Sequence, residues 1–407
     1  MRFCPAVTIN APISTTKRAS AIARGASEWR DRASDVRAQA RAALLGDMWP
    51  AQTVEMALDN VLWDLDEARV AELIGRIDPM RARPQEAGAT FLNVLVILPG
   101  NVIGPAIQAA YCAAIAGANV TLKPAQGERH LAEIVSRQFD RLGAGLTGSV
   151  RAVYWPGGET TMEASAFEWA HRIIAFGEDA TIDQIRSRAP DDVEVVGYGE
   201  SYSVGFVHAE ADLAQAAARS ALDICLFDQR GCMSPQTVYV GGDRGRALLF
   251  ARTLAQKMQD LARTLPRAAF APGEREMIAS AARRLAATAL EPMPHGLDTL
   301  IQGPQRESVP EFIVAVEPFG PPTFTGFGRI AIVKPCPGAR EVAAQIKHGG
   351  SVLDTVGLSV GTDERDRSAL RLAKAKRLCE LGEMQRPPLG YRPSVEDFAR
   401  SKNAPRQ

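Results

Sequence analysis

The chain is poor in cysteine: six in 407 residues, at Cys4, Cys112, Cys225, Cys232, Cys336 and Cys379, with no CxxC pair. That sparseness excludes a disulfide framework and a paired-cysteine zinc site, and it predicts reduced thiols in a cytoplasmic protein. Long apolar runs are missing as well. The longest, Leu92 to Leu98 broken by Asn93, is far short of the ~20 residues that span a bilayer. The N-terminus lacks the apolar region and small-residue cleavage site of a secretory signal. Neither sign of charge is in excess, with 47 basic and 47 acidic side chains. A zero balance argues against partners gathered by charge, nucleic acid or an anionic membrane among them. Also absent are GxGxxG, the P-loop, the GxSxG elbow and HExxH. The five histidines, His130, His171, His208, His295 and His348, are scattered, so no metal site is expected.

What remains is a globular composition, 46% hydrophobic and 23% charged, long enough for two or three domains. Residues 1–85 read as an amphipathic helical lead-in, with apolar spacing at Val54, Leu58, Val61, Leu62 and Leu65 and then Val70, Leu73 and Ile74. From Leu92 the pattern changes to an apolar strand, a small-residue helix over Pro105 to Ala118 and a second strand ending at Lys123, which is a β-α-β unit. Further strands at Arg172 to Phe176 and Val193 to Val196 alternate with helices, so the sheet is mostly parallel. The alternation restarts beyond Tyr202, with Asp212 capping a helix and a polar loop, Phe227 to Pro235, leading into another strand. The expected organisation is therefore 1–85 lead-in, 86–202 cofactor-binding domain and 203–385 catalytic domain. Residues 386–407, rich in Pro, Arg and Lys, read as a loosely attached tail.

Cys232 is the leading candidate for chemistry. A cysteine is more often packing material, as Cys112 and Cys225 inside apolar helices read. Cys232 instead follows a glycine in a polar loop, where a thiol can meet substrate and backbone N–H groups. Asn101, at the carboxyl end of the first strand, suits an oxyanion donor or a turn residue. Lys123, at the end of the second strand, suits a phosphate or ribose ligand or a solvated charge.

Three segments together resemble the aldehyde dehydrogenase superfamily, in its branch of fatty acyl-CoA reductases related to the reductase of bacterial luminescence. The first joins Leu98-Pro99-Gly100-Asn101-Val102 to Gly117-Ala118-Asn119-Val120-Thr121-Leu122-Lys123-Pro124. The second is Ile173-Ile174-Ala175-Phe176-Gly177-Glu178-Asp179-Ala180-Thr181-Ile182. The third and most specific is Phe227-Asp228-Gln229-Arg230-Gly231-Cys232-Met233-Ser234-Pro235-Gln236, similar to the Asp-Gln-x-x-Cys-x-Ser-Pro-Gln segment that carries the reductases' nucleophile. The resemblance spans roughly Leu92 to Leu389. It implies an α/β fold of the aldehyde dehydrogenase type, two Rossmann-like parallel-sheet domains with a cleft between them. It also implies Cys232 as acyl-accepting nucleophile, Asn101 as oxyanion donor, Lys123 with Pro124 at the adenosine ribose or its phosphate, and Gly177 and Glu178 in the second cofactor loop. Members associate through the hairpin before the Asn-bearing loop, here Arg81 to Leu92, so a homodimer is expected.

Two departures sharpen the expectation. The oxidising members' water-activating glutamate aligns with Val196 in Val196-Gly197-Tyr198-Gly199-Glu200-Ser201-Tyr202, although another register would offer Glu194 or Glu200. Without that base an acyl-enzyme hydrolyses slowly and is left for reduction. Where many relatives follow Lys-Pro with Ser-Glu, this chain has Ala125-Gln126 with Arg129 close behind, which favours NADPH, with NAD as the alternative. The Glu-x-Phe-Gly element matches Glu317-Pro318-Phe319-Gly320 by letters and Phe327-Gly328 by spacing. The expected activity is NADPH-dependent reduction of an acyl-CoA or acyl-protein thioester to aldehyde. Oxidation of aldehyde to acid and a catalytically inactive cofactor-binding subunit are the alternatives.

Overall fold

The computed structural model describes residues 15–46, 49–77, 92–289, 297–348 and 352–399. Two compact units divide the chain. The first comprises Met1–Asp47, Val54–Gly199 and Arg386–Gln407, and the second Met48–Thr53 and Glu200–Gln385. Residues 81–91, most of the hairpin expected to mediate association, lie outside the described residues, as does His295.

The chain opens with four helices, α1 (Thr15–Arg30), α2 (Asp35–Gly46), α3 (Ala51–Asn60) and α4 (Glu67–Ile77). They are helical because their apolar residues recur on one face, and in α4 the buried set is Val70, Leu73, Ile74 and Ile77. Alternation then sets in: β1 (Asn93–Ile97), α5 (Pro105–Ala116), β2 (Asn119–Lys123), α6 (His130–Leu142), β3 (Val150–Ala152), α7 (Thr160–Trp169), β4 (Arg172–Phe176), α8 (Asp179–Arg188) and β5 (Glu194–Tyr198). The five strands form a parallel sheet in the order β3-β2-β1-β4-β5. Its winding reverses between β1 and β4, the place where such sheets open a crevice at their carboxyl edge. Helix α5 is buried from Ala106 to Ala116, and its run of alanines lets the neighbouring helices approach closely. Gln138 on α6 ties three helices: its Oε1 accepts from Trp29 Nε1 of α1 (2.9 Å) and Tyr111 Oη of α5 (3.1 Å).

The second unit holds β6 (Tyr202–Val207), α9 (Leu213–Cys225), β7 (Pro235–Gly241), α10 (Arg244–Thr264), α11 (Glu274–Thr288), β8 (Thr299–Gln302), β9 (Gln305–Arg306), β10 (Val309–Pro310), β11 (Ile313–Val316), β12 (Ile330–Cys336), α12 (Ala339–His348), β13 (Leu353–Leu358), α13 (Glu364–Arg371) and β14 (Arg377–Glu380). Seven strands form one sheet, β14-β13-β6-β7-β12-β11-β8, parallel except for β8. Asp212 caps α9 as its sequence position predicts, accepting from the N–H groups of Ala214 (2.8 Å) and Gln215 (3.1 Å).

The expectation of a loose tail from Arg386 is corrected. Leu389, Val395, Phe398 and Ala399 are buried in the first unit. Asp64 accepts from Leu389 N–H (3.1 Å), and the Arg172 guanidinium donates to the carbonyls of Asp397 (2.5 Å) and Ala399 (2.9 Å). The prolines and charges that suggested a tail are used in turns and pairs, Arg76 with Glu396 at 2.9 Å for example. The apolar residues between them supply the burial.

Candidate active site

In the first unit the expected cofactor residues gather at one edge of the sheet. Asn101 lies in the bend after β1 and is exposed. Gly104 turns that bend into α5 with a φ of +119°, open to glycine, and Pro105 starts the helix with φ preset. Lys123 and Pro124 end β2, with Gln126 exposed beyond them. The loops after β1 and β2 touch, since a Cβ on Gly100 would sit 2.8 Å from the Cβ of Ala125. Lys123 is half-buried, with Nζ 5.7 Å above the Trp155 ring. Burial lowers its pKa, and the carboxylate of Glu163 opposes that shift. Arg129 donates to the Gln126 carbonyl (3.2 Å) and stacks its guanidinium 3.5 Å from the Tyr154 ring centre. Two cations thus stand on aromatic faces along one edge.

Gly177 and Glu178 follow β4, both exposed, and α8 begins at Asp179. Gly177 is not in the left-handed region, and a Cβ there would meet nothing nearer than Thr181 at 3.8 Å. Its own fold does not require glycine, so the bare face is open to something that must approach the backbone closely. Val196 sits in the middle of β5, opposite Ile174. Glu194 opens β5 and its carboxylate is held by Arg172 Nε (2.9 Å).

In the second unit, Cys232 lies between a 3-10 turn, Leu226–Gln229, and β7, at the amino end of the strand. Phe227, Asp228 and Gln229 all have positive φ, 61°, 53° and 59°, without a glycine among them. Three such residues in succession cost about 1–2 kcal/mol each, so the surroundings must hold them. Asp228, 2% exposed, receives Arg329 Nε (2.6 Å) and the Ala268 N–H (2.9 Å), and its carbonyl accepts from Gly328 N–H (3.0 Å). Gln229 donates to the carbonyls of Pro235 (2.9 Å) and Ile330 (2.8 Å). Arg230 pairs with buried Glu274 (2.7 Å). The Asp, Gln and Arg that precede the cysteine are therefore braces, one reaching the segments after α10 and before β12, one the starts of β7 and β12, one α11.

Cys232 itself is partly exposed. Its carbonyl accepts from Ser203 Oγ of β6 (2.7 Å), and its Sγ lies 3.7 Å from Asp354 Oδ2 of β13. The next residues are fixed too, Ser234 Oγ accepting from Gln385 Nε2 (2.8 Å). The thiols of Cys112, Cys225, Cys336 and Cys379 contrast with this one. Burial pushes each of them up, Cys336 and Cys379 to about 12, which makes them inert. Of the two readings of the Glu-x-Phe-Gly element, Glu317 has its carboxylate taken by Lys334 (2.9 Å) and Thr323 Oγ1 (2.6 Å), while Gly328, at φ +107°, is needed by the fold beside Ile278.

Sequence reasoning missed Ser203 on β6 and Asp354, and with Asp354 the strand β13. The signal was present as a single acid within the apolar run Val352 to Val360. Among the described residues, no cluster of three or more His, Cys, Asp or Glu could hold a metal ion, and no helix is long and apolar enough to cross a membrane.

Comparison with known proteins gives the family and the fold. The sequence profile of the acyl-CoA reductase (LuxC) family matches residues 81–392. Two long-chain acyl-protein thioester reductases, from Photorhabdus laumondii and Aliivibrio fischeri, are 32% identical over 124 and 123 residues, each 30% of this chain. Those matches span only 25% of the length of either relative. Among solved structures, an NAD-dependent benzaldehyde dehydrogenase from Corynebacterium glutamicum superposes with a TM-score of 0.70 at 16% identity, over 96% of this chain and 85% of that one. The aldehyde dehydrogenase KauB from Pseudomonas aeruginosa gives 0.66 at 16%, over 90% and 76%. The fold is that of the aldehyde dehydrogenases, and the chain belongs to the acyl-CoA reductase (LuxC) family.

Proposed function

We propose that this member of the acyl-CoA reductase (LuxC) family reduces an acyl thioester, carried on CoA or on a protein, to the aldehyde through an acyl-enzyme on Cys232. The observation that carries the reading is the setting of the described thiols: burial raises Cys112, Cys225, Cys336 and Cys379, whereas Cys232 is partly exposed on a loop whose Asp228, Gln229 and Arg230 are braced by buried partners.

NADPH is the cofactor this reading assigns, and the first unit fits it. Lys123 and Arg129 supply positive charge for a ribose phosphate, Ala125-Gln126 rather than Ser-Glu follows Lys123-Pro124, and the open face of Gly177 beside Glu178 and the α8 N-terminus suits a pyrophosphate. When bound, that cofactor supplies the hydride. The chain's own residues do the rest. Cys232 sulfur attacks the thioester carbonyl, its bond to carbon forms as the bond to the departing thiol breaks, and the thiol leaves with a proton. The Asn101 amide is assigned to the carbonyl oxygen, where such a donor is worth ~10²–10³ in rate. Val196 is assigned to the position of the oxidising members' water-activating glutamate, which favours a thioester that persists until it is reduced. Breakage of the C–S bond then frees aldehyde and leaves the Cys232 thiolate, which takes a proton from water.

The test compares the parent with Cys232→Ala, each given short- and long-chain acyl-CoA and NADPH, following nicotinamide absorbance and aldehyde release. Turnover falls to background in the variant. Equal turnover in both would defeat the assignment.

A further inference from the structure

The turn that carries the thiol is anchored from two sides. Ser234 N–H donates to the Gly231 carbonyl (3.0 Å), which closes a four-residue turn with Cys232 and Met233 at its centre. Ahead of it stand the braces on Asp228, Gln229 and Arg230. Behind it, Ser234 Oγ accepts from Gln385 Nε2 (2.8 Å), and the same nitrogen donates to the Asp223 carbonyl of α9 (3.4 Å). Ser234 and Gln385 are both buried. Gln385 closes the irregular segment 382–385 after β14, and buried side chains hold that segment peptide by peptide. The Asp223 carboxyl accepts from the N–H groups of Gly382 (2.6 Å) and Met384 (3.0 Å). Arg377 of β14 donates to the carbonyls of Glu383 (2.6 Å) and Met384 (2.9 Å) and reaches Met233 Sδ at 3.7 Å. Ending a sheet edge requires neither a buried carboxyl nor a buried amide, and each is costly out of water unless it is hydrogen-bonded. Here those bonds hold one amide against Ser234.

We infer that Gln385 is a positioning residue for the Cys232 sulfur, setting through Ser234 the direction in which the turn presents the thiol to a thioester carbonyl. The inference rests on the acyl-thioester reading given above and deepens it. A turn fastened only on its Arg230 side is free to pivot, and the bond from Gln385 to Ser234 stops that motion at the other end. Attack on a bound carbonyl is sensitive to such freedom, since a displacement of about 1 Å can cost about 100-fold in rate. The segment 382–385 is the frame that keeps the amide in place: Asp223 grips its N–H groups, Arg377 its carbonyls, and Gly382, at φ +87°, makes the bend where a Cβ would stand 3.1 Å from the Arg219 side chain.

The aim of the sulfur is measured apart from its exposure. Each protein is given octanoyl-CoA at increasing concentration without NADPH, and acylation of Cys232 is read by intact mass. In Gln385→Ala the maximal rate should fall about 10- to 100-fold, while the half-saturating concentration stays within about twofold of the parent's. Ser234→Ala, which deletes only the accepting oxygen, should give the same split. The double variant should be no slower than the slower single one, because all three remove one interaction. Alkylation of Cys232 by iodoacetamide, which needs no bound geometry, should stay within about threefold of the parent in all three. An unchanged maximal rate, a double variant whose loss is the product of the single losses, or alkylation that falls in step with acylation each overturns the inference. Should Gln385→Ala fail to fold, Ser234→Ala decides by the same split. A parent that octanoyl-CoA does not acylate defeats the thioester reading itself, whereas a parent acylated no faster than Gln385→Ala defeats only the role of Gln385.

Discussion

The loop that presents Cys232 and the loops at the carboxyl edge of the first sheet are built on opposite plans. Around the thiol, three non-glycine residues sit at positive φ and every one has a buried partner, Phe227 edge-on to Trp49, Asp228 with Arg329, Gln229 with the backbone of β12, and Arg230 on Glu274 follows them. Along the first sheet, left-handed geometry is left to glycines such as Gly104, and Asn101, Gln126, Gly177 and Glu178 stand exposed. On the proposed reading, strain is stored where one sulfur atom is to be fixed, and openness is kept where a large flexible cofactor is to be met.

The comparison breaks most visibly at Asp228. Asp228→Ala leaves the Arg329 guanidinium buried without its partner and should cost about 3–5 kcal/mol of the second unit's stability in urea unfolding. A loss under about 1 kcal/mol would mean that the strained turn is held by something else. On the open side, Arg129→Ala removes a charge-assisted donor worth about 1.5–3 kcal/mol. Fluorescence titration should show NADPH binding weakened roughly 10- to 100-fold with NADH little changed, and an equal loss for both would remove the 2′-phosphate from the account. Gly177→Val is milder. The space around its Cβ position predicts a melting temperature close to the parent's, with NADPH affinity down about tenfold and Cys232 acylation unaltered.

The smallest effect concerns Asp223 of α9, which accepts from the N–H groups of Gly382 (2.6 Å) and Met384 (3.0 Å) in the segment that ends at Gln385 beside Ser234. Burial pushes its carboxyl from 3.8 up to about 7 against those hydrogen bonds. The folded state then keeps a proton that the unfolded chain has released, so stability falls as pH rises between about 4 and 7. Asp223→Asn should flatten melting temperature across that window, and an unchanged slope would deny the raised carboxyl.

Much of this was legible in the residues. The β-α-β unit from Leu92 to Lys123 and the restart at Tyr202 follow from apolar runs broken by turn formers, and the Asp212 cap from its position before an amphipathic run. The thiol loop was found by its flanks, but its construction was not. The left-handed turn at 227–229 has no glycine to announce it, and its braces come from Arg329 and Glu274, distant in sequence. Asp354 escaped because β13 went unassigned and an acid within an apolar strand gains meaning only from what lies across the sheet. The segment after Arg386 was misread on composition, its prolines and arginines outweighing Leu389, Val395 and Phe398.

The most direct measurement withholds the nicotinamide cofactor, incubates the protein with acyl-CoA, and maps the adduct by peptide mass. A single acyl group on the peptide bearing Cys232, with Cys112, Cys225, Cys336 and Cys379 unmodified, is the predicted result; a folded protein that carries its acyl group on any other residue, or on none, would contradict it.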